Sequence, residues 1–249
     1  MQYVRKIDYI LHVFSSFNNR EDVDKMKLFQ LTNVEVNYGM DENMVHALNG
    51  ISLEIEEHEK IAITGPSGSG KSTLLNALSG IEKISKGNIF FRETDFSKFT
   101  PSKLSELRLK HFGFVFQNFY LISSMTVRDN IYLPAIVSQG EVDKEFFEKL
   151  VTHLHIDHRL NHLSGQLSGG EKQRVAIARA LIHKPEVIFA DEPSGNLDSK
   201  NGEEVFRLLF QMTEEFQQTL IYVTHDMEKA KMAERQIKIK DGMVDNNDK

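Results

Sequence analysis

The chain has no cysteine among its 249 residues. That absence excludes a disulfide framework, cysteine zinc sites, iron–sulfur ligation and a thiol nucleophile. It suits a reducing compartment such as the cytoplasm. Long apolar runs are also lacking, and none approaches the ~18–20 residues that cross a bilayer as a helix. There is no excess of positive charge: 30 Lys and Arg stand against 36 Asp and Glu, a net charge of −6. This argues against a nucleic-acid partner. The start, Met1 to Lys6, is basic, but Asp8 follows and the apolar stretch Tyr9 to Phe14 is short and contains His12. That pattern argues against a signal peptide. What remains is the composition of a soluble globular protein, 40% apolar and 27% charged. At roughly 150 residues per domain, the length suits one large domain or one domain with an inserted subdomain. A chain of this size buries about 70–75% of its unfolded surface, so the core needs no metal or disulfide.

Residues 1–25 stand apart from the rest. Val4, Ile7, Ile10, Leu11, Phe14 and Phe17 fall at helical spacing, and a polar stretch follows to Lys25. Three readings fit: an accessory helix, a start upstream of the folded domain, or a membrane-surface or partner-binding helix. The folded domain is expected over 26–249. Val34, Val36 and Tyr38 alternate with polar residues, as do Ile51, Leu53 and Ile55, which predicts half-exposed antiparallel strands. Ile61 to Thr64 is a continuous apolar strand running into a glycine-rich turn, and Lys71 to Ser79 reads as a helix. From about Thr100 to His162 the chain reads as mostly helical, with helices at Ser102–Lys110 and Asp143–His155. Helices are also expected at Gly169–His183 and Gly202–Phe216. The runs Val187–Ala190 and Leu220–Thr224 have the pattern of buried parallel strands. A terminal hairpin turns at Asp241-Gly242.

The turn after the first apolar strand reads Gly65, Pro66, Ser67, Gly68, Ser69, Gly70, Lys71, Ser72, Thr73. It matches the phosphate-loop pattern in its required strand–loop–helix context. Glycines there let backbone N–H groups turn inward on a phosphate. The helix N-terminus adds its positive dipole end. Lys71 has the reach for the β- and γ-oxygens, and the Ser72 hydroxyl suits Mg²⁺. Further features follow in fixed order. Gln117 closes Phe114-Val-Phe-Gln. A second glycine turn, Leu167-Ser168-Gly169-Gly170, opens a helix. Asp191-Glu192 ends an apolar strand, Ser194-Gly-Asn-Leu-Asp198 comes next, and His225 ends the following strand. The histidines at 153, 155, 158 and 162 read as an exposed helical surface rather than a metal site.

On these motifs the sequence resembles the nucleotide-binding subunits of ATP-binding cassette (ABC) transporters, over about residues 27–245. The Leu-Ser-Gly-Gly turn is the specific mark. The resemblance implies an α/β fold: a phosphate-loop, RecA-like core with a mainly parallel sheet, an N-terminal antiparallel β-subdomain, and an inserted helical subdomain over about 95–175. It implies an ATPase using ATP and Mg²⁺. Ser72, Gln117 and Asp191 would attend the metal, and Glu192 would act as general base on water. His225 would contact the γ-phosphate, and Tyr38 would stack on adenine. Ser168, Gly169 and Gly170 of one cassette would close over ATP on another in a head-to-tail pair, with Asp198 at the seam. The pair would be a homodimer or two different cassettes.

Phe112 to Leu121, Met125 to Ile131 and Ser194 to Asp198 resemble most the branch that holds MacB, LolD, FtsE and the peptide-antibiotic resistance ATPases. That branch implies a separate FtsX-type permease, a place on the inner face of the membrane, and export or resistance for peptide or lipid-like compounds. Cell-division signalling is the alternative within the branch. Outside it stands a soluble ABC ATPase acting on ribosomes or DNA, but the chain holds one cassette and Phe114 comes only 44 positions after Gly70. A non-hydrolysing regulatory cassette is opposed by intact Lys71, Glu192 and His225. Two positions depart from the family pattern. Ser164 stands where many relatives have proline, and His58 where they tend to have glycine.

Overall fold

The computed structural model describes residues 26–39 and 43–245. The helical pattern from Val4 to Phe17 lies outside the described residues. Two sheets organise the chain. The first is antiparallel, in the order β2-β1-β4-β5, from β1 (Lys27–Tyr38), β2 (Val45–Glu56), β4 (Lys86–Phe91) and β5 (Thr94–Asp95). Between them in sequence lie β3 (Lys60–Thr64), the phosphate-loop turn and helix α1 (Lys71–Leu78).

The second sheet has the order β10-β9-β3-β8-β7-β6. It contains β3, β6 (Phe112–Phe116), β7 (Val187–Asp191), β8 (Thr219–Val223), β9 (Arg235–Lys240) and β10 (Met243–Val244). All its pairings are parallel except the terminal β9–β10 hairpin. Helices α2 (Pro101–His111), α3 (Val127–Gln139), α4 (Lys144–His153), α5 (Gly169–Leu181), α6 (Ser199–Glu215) and α7 (Met227–Ala230) complete the fold.

The period-2 alternation of strand side chains divides the core in two. Ile61, Ile63, Val187, Phe189, Ile221 and Val223 face α1 and the antiparallel sheet. Ala62, Ile188, Ala190, Leu220 and Tyr222 face the other way, into a core shared with α3, α4, α5 and α6. A chain of rings ties the two sheets together, with Phe29–Phe91, Phe91–Phe112 and Phe112–Phe189 centroids 5.2, 5.1 and 5.2 Å apart. At Gly113 the packing leaves no room for a side chain: a Cβ there would lie 2.3 Å from the Ala180 carbonyl oxygen. The bare α-carbon lets α5 lie close against β6.

The stretch from about 100 to 162 differs from the mostly helical expectation. Strand β6 passes through it and pairs with β7 in the core sheet. Five apolar residues in a row suit a buried strand as well as a helix, and here burial beside β7 decides. Helix α6 begins at Ser199 rather than Gly202, because Asp198 caps it by accepting from the Asn201 N–H at 3.1 Å. At His58 the backbone takes φ 64°, a conformation that glycine adopts freely. The His58 N–H donates to Thr219 Oγ1 at 2.8 Å, and its ring Nδ1 meets the Gln217 carbonyl oxygen.

Candidate nucleotide site

Parallel strands end together, and that brings distant residues into one row. Phe116 pairs with Asp191, Asp191 with Val223, and Val223 with Ile63. The residues just beyond these positions are Gln117, Glu192, Thr224-His225 and Thr64-Gly65. Ligands of open parallel sheets bind at such a carboxyl edge.

The phosphate loop lies at this edge. Gly65 has φ 140°, and a Cβ on it would fall 2.1 Å from the Ile239 carbonyl oxygen, so only glycine fits. Lys71 is buried, and its Nζ donates to the carbonyl oxygens of Gly65 (3.0 Å) and Pro66 (2.7 Å), which folds the loop over it. The Ser69 hydroxyl is buried and has no hydrogen-bond partner.

Among the described α-helices, α1 has an unusual start. Helices α2 to α7 each begin with a side chain accepting from the first turn: Thr100, Thr126, Asp143, Ser168, Asp198 and Asp226. Helix α1 begins at Gly70, with no side-chain cap and no acidic residue in its first turn. The donors of that turn and the dipole end are left for an anion.

Ser72 Oγ donates to Asp191 Oδ1 at 3.1 Å. Burial foremost, then the neighbouring Glu192 charge, pushes the Asp191 carboxyl up, while Ser72 and Lys71 pull it back. A hydroxyl and a carboxylate form an all-oxygen donor set, which suits a hard cation such as Mg²⁺. Glu192 follows at φ 44°, strained for a residue with a side chain, and its N–H donates to the Val223 carbonyl at 3.1 Å. Strain of this kind clusters at functional sites. His225 Nδ1 lies 3.3 Å from Glu192 Oε2.

Three parts of the expected site lie apart from this group: Tyr38, Gln117, and the Ser168 turn with Asp198 near it. Tyr38, at the end of β1, is 43% exposed, which leaves its ring available for stacking. Its hydroxyl donates to Glu82 Oε2 at 2.7 Å and also meets the Thr73 side chain of the phosphate loop. Gln117 bonds to Asn196 instead of to Ser72 or Asp191. The Ser168 turn begins α5, where Ser168 and Glu171 cap each other reciprocally: the Ser168 N–H donates to Glu171 Oε2 (2.8 Å) and the Glu171 N–H to Ser168 Oγ (3.3 Å). Gly169 and Gly170 follow, lying against Leu197 and Asn201 near Asp198. Among the described residues, no hydrogen bond joins this turn to the phosphate loop.

The sequence reading missed several partners. Ser-x-x-Glu before a helix is a capping-box signal that marks Glu171 in advance. Arg159, which donates from Nε to Glu171 Oε1 at 2.6 Å, carries no such signal. Glu82 and Asn196 are likewise visible only in three dimensions.

Comparison with known proteins agrees with this geometry. The ABC transporter family model matches residues 48–195. The macrolide export ATP-binding/permease protein MacB of Rhodopirellula baltica is 42% identical over 221 residues, 87% of this chain but 32% of that protein. The chain thus spans about a third of such relatives. The bacitracin export ATP-binding protein BceA of Halalkalibacterium halodurans is 39% identical over 88% of this chain and 87% of its own length. The dimeric structure of the ATP-binding cassette MJ0796, in a post-hydrolysis state bound to ADP and Pi, superposes with a TM-score of 0.79 at 40% identity, covering 88% of this chain and 97% of that one. With its phosphate loop, uncapped helix and row of strand-end residues, the chain belongs to the ABC transporter family as an ATP-binding cassette.

Proposed function

We propose that this cassette binds ATP with Mg²⁺, closes head to tail on a second cassette, and hydrolyses the nucleotide to drive a membrane permease of the FtsX type. The observation that carries the reading is the row of strand ends that sets Lys71, Ser72, Asp191, Glu192 and His225 around one uncapped helix start. The first-turn N–H groups and Lys71 hold the β- and γ-phosphates. Tyr38 stacks on adenine. Ser72 and Asp191, with Gln117, would hold Mg²⁺, which would neutralise charge on the phosphate oxygens.

Glu192 takes a proton from water as the water oxygen attacks the γ-phosphorus. The bond from that phosphorus to the bridging oxygen breaks, and ADP leaves with the electron pair. The products are ADP and inorganic phosphate. His225 steadies Glu192 and the γ-phosphate. Ser168, Gly169 and Gly170 of the second cassette cover the same γ-phosphate, and Asp198 braces the seam. Splitting the site across two subunits ties hydrolysis to closure, because phosphoryl transfer depends on positioning and charge stabilisation.

The permease side of the reading rests on a cleft of about 500 Å³ lined by Ser105, Arg108, Phe114, Phe116, Tyr120 and Pro134 among others. Arg179 holds one wall by donating to the Phe119 and Tyr120 carbonyls at 2.6 and 2.5 Å. The exposed Tyr120 ring gives this wall an apolar face of the kind a cytoplasmic helix would cover. None of the helices among the described residues is long and apolar enough to cross a membrane. The cassette would sit at the inner membrane face through its permease, with no nucleic-acid partner. Export or resistance for peptide or lipid-like compounds is the transport reading, in keeping with the names of MacB and BceA.

The test is to trap tagged Glu192→Gln protein with ATP and recover its partners from detergent-solubilised membranes by mass spectrometry. An FtsX-type permease is expected. Ribosomal or DNA-repair proteins without a membrane partner would overturn the transport reading.

A further inference from the structure

We propose that Asn196 is a positioning residue for Gln117: it holds the Gln117 side chain over Gly195, away from the Ser72–Asp191 pair, and lets go when the seam loop is engaged by a second cassette. The inference rests on the head-to-tail reading above.

Gln117 and Asn196 are joined at both ends. Gln117 Nε2 donates to Asn196 Oδ1 at 3.0 Å, and Asn196 Nδ2 donates to the Gln117 carbonyl oxygen at 3.0 Å. The Asn196 amide also donates to Asn118 Oδ1 at 2.8 Å. A backbone carbonyl can only accept, so the Asn196 nitrogen must face it. That orientation leaves the Asn196 oxygen for Gln117, and the pairing is fixed in one sense.

Gly195 makes room for the arrangement. A Cβ built there would lie 2.7 Å from Gln117 Nε2 and 3.0 Å from its Cδ, so the glutamine amide rests on the bare α-carbon. The loop beneath is firm: the Gly195 N–H donates to the Glu192 carbonyl at 2.9 Å and the Leu197 N–H to the Ser194 carbonyl at 3.2 Å. One end of this loop is Glu192, and the other is Asp198, the cap of α6. A load on Asp198 at the seam would therefore reach Asn196 through one residue, Leu197.

The metal pair makes its own bond without Gln117, Ser72 Oγ to Asp191 Oδ1. In this proposal, turning the Gln117 amide to bring its oxygen to a cation there breaks the Asn196 bond, which uses the amide nitrogen. Asn196 and the metal site thus compete for one side chain. Removing Asn196 takes away one competitor and shifts that exchange toward the metal by the worth of an ordinary hydrogen bond, roughly 2–10-fold.

The experiment uses full-length protein carrying Glu192→Gln, so that hydrolysis does not intervene. ATP-driven dimerisation is followed by light scattering while Mg²⁺ is titrated. With Asn196→Ala added, half-maximal dimerisation is expected at a Mg²⁺ concentration several-fold lower. Gly195→Ala, which pushes the Gln117 amide off the loop, is expected to shift it in the same direction. In a Gln117→Ala background, adding Asn196→Ala should produce no further shift, because Asn196 acts through Gln117. An unchanged or higher Mg²⁺ requirement with Asn196→Ala would overturn the proposal, as would a shift that persists without Gln117. If the Glu192→Gln parent itself fails to dimerise with ATP, the head-to-tail reading falls and takes this inference with it.

Discussion

His225 Nδ1 lies 3.3 Å from Glu192 Oε2, across the ends of two adjacent strands. The Glu192 backbone is held at its strained φ by the bond of its N–H to Val223, so the histidine meets a carboxylate carried on an anchored residue. Glu192→Gln keeps the shape and removes the proposed base. Phosphate release should fall at least about 10²-fold, the usual worth of a general base, while ATP binding persists. His225→Ala should lower turnover with little change in nucleotide affinity. Hydrolysis at the native rate by Glu192→Gln would remove Glu192 from the role.

The bare start of α1 makes a separate prediction about binding. Saturating ATP stabilises a protein in proportion to the logarithm of its excess over Kd, about 2.7 kcal/mol at a hundredfold excess. For a chain of this size, roughly 2–4 °C of melting temperature follows each kcal/mol. Native protein should therefore melt about 5 °C or more higher with MgATP, and Lys71→Ala should show almost none of this rise. An equal rise in both would mean that the nucleotide binds elsewhere.

Much of the site was legible because its residues sit where backbone patterns change. The apolar runs ending at Thr64, Ala190 and Thr224 are short, unbroken and followed by glycine, carboxylate and histidine in turn. Such an ending marks a buried strand delivering a polar group to an edge. What escaped the sequence depended on tertiary choice. Phe112 to Phe116 is compatible with helix or strand until β7 is beside it. The motif suggests a seam position for Asp198, while its capping of α6 at Ser199 shows only once the helix start is seen. Asn196 and Glu82 matter only through the side chains they meet, and no spacing rule points from Tyr38 to a residue 44 positions away.

The proposed adenine platform, Tyr38, is held by its hydroxyl bond to Glu82, and its contribution can be tested apart from the phosphate contacts. Tyr38→Ala removes a stacking ring, an interaction of about 1–3 kcal/mol, so KM for ATP should rise about 5- to 100-fold with kcat largely kept. Tyr38→Phe keeps the ring but frees it from Glu82 and Thr73, and a rise of a few-fold is expected. Steady-state kinetics with ATP as the varied substrate distinguishes these cases. An unchanged KM in Tyr38→Ala would exclude the platform role.

The Ser168 turn carries a pH signature through Glu171. Burial pushes that carboxyl up, but the Ser168 N–H, the Arg159 guanidinium and the Ser168 hydroxyl overcome it and hold Glu171 down at about 2, from an ordinary 4.5. An unfolded chain takes up this proton near the ordinary value. The stabilisation is therefore complete above about pH 4.5 and is lost as the pH falls toward about 2. The side chain is one-fifth exposed, and solvent screening limits its contribution to about 1–2 kcal/mol. Urea unfolding of nucleotide-free protein at neutral pH should show Glu171→Gln less stable than native by about that amount. The gap should narrow at about pH 3.5, because native Glu171 loses part of its advantage there while glutamine has no proton to gain. Arg159→Ala should reproduce part of the neutral-pH loss. A gap that stays constant from neutral to acid pH would show that Glu171 contributes packing alone and that its charge is not what holds the turn.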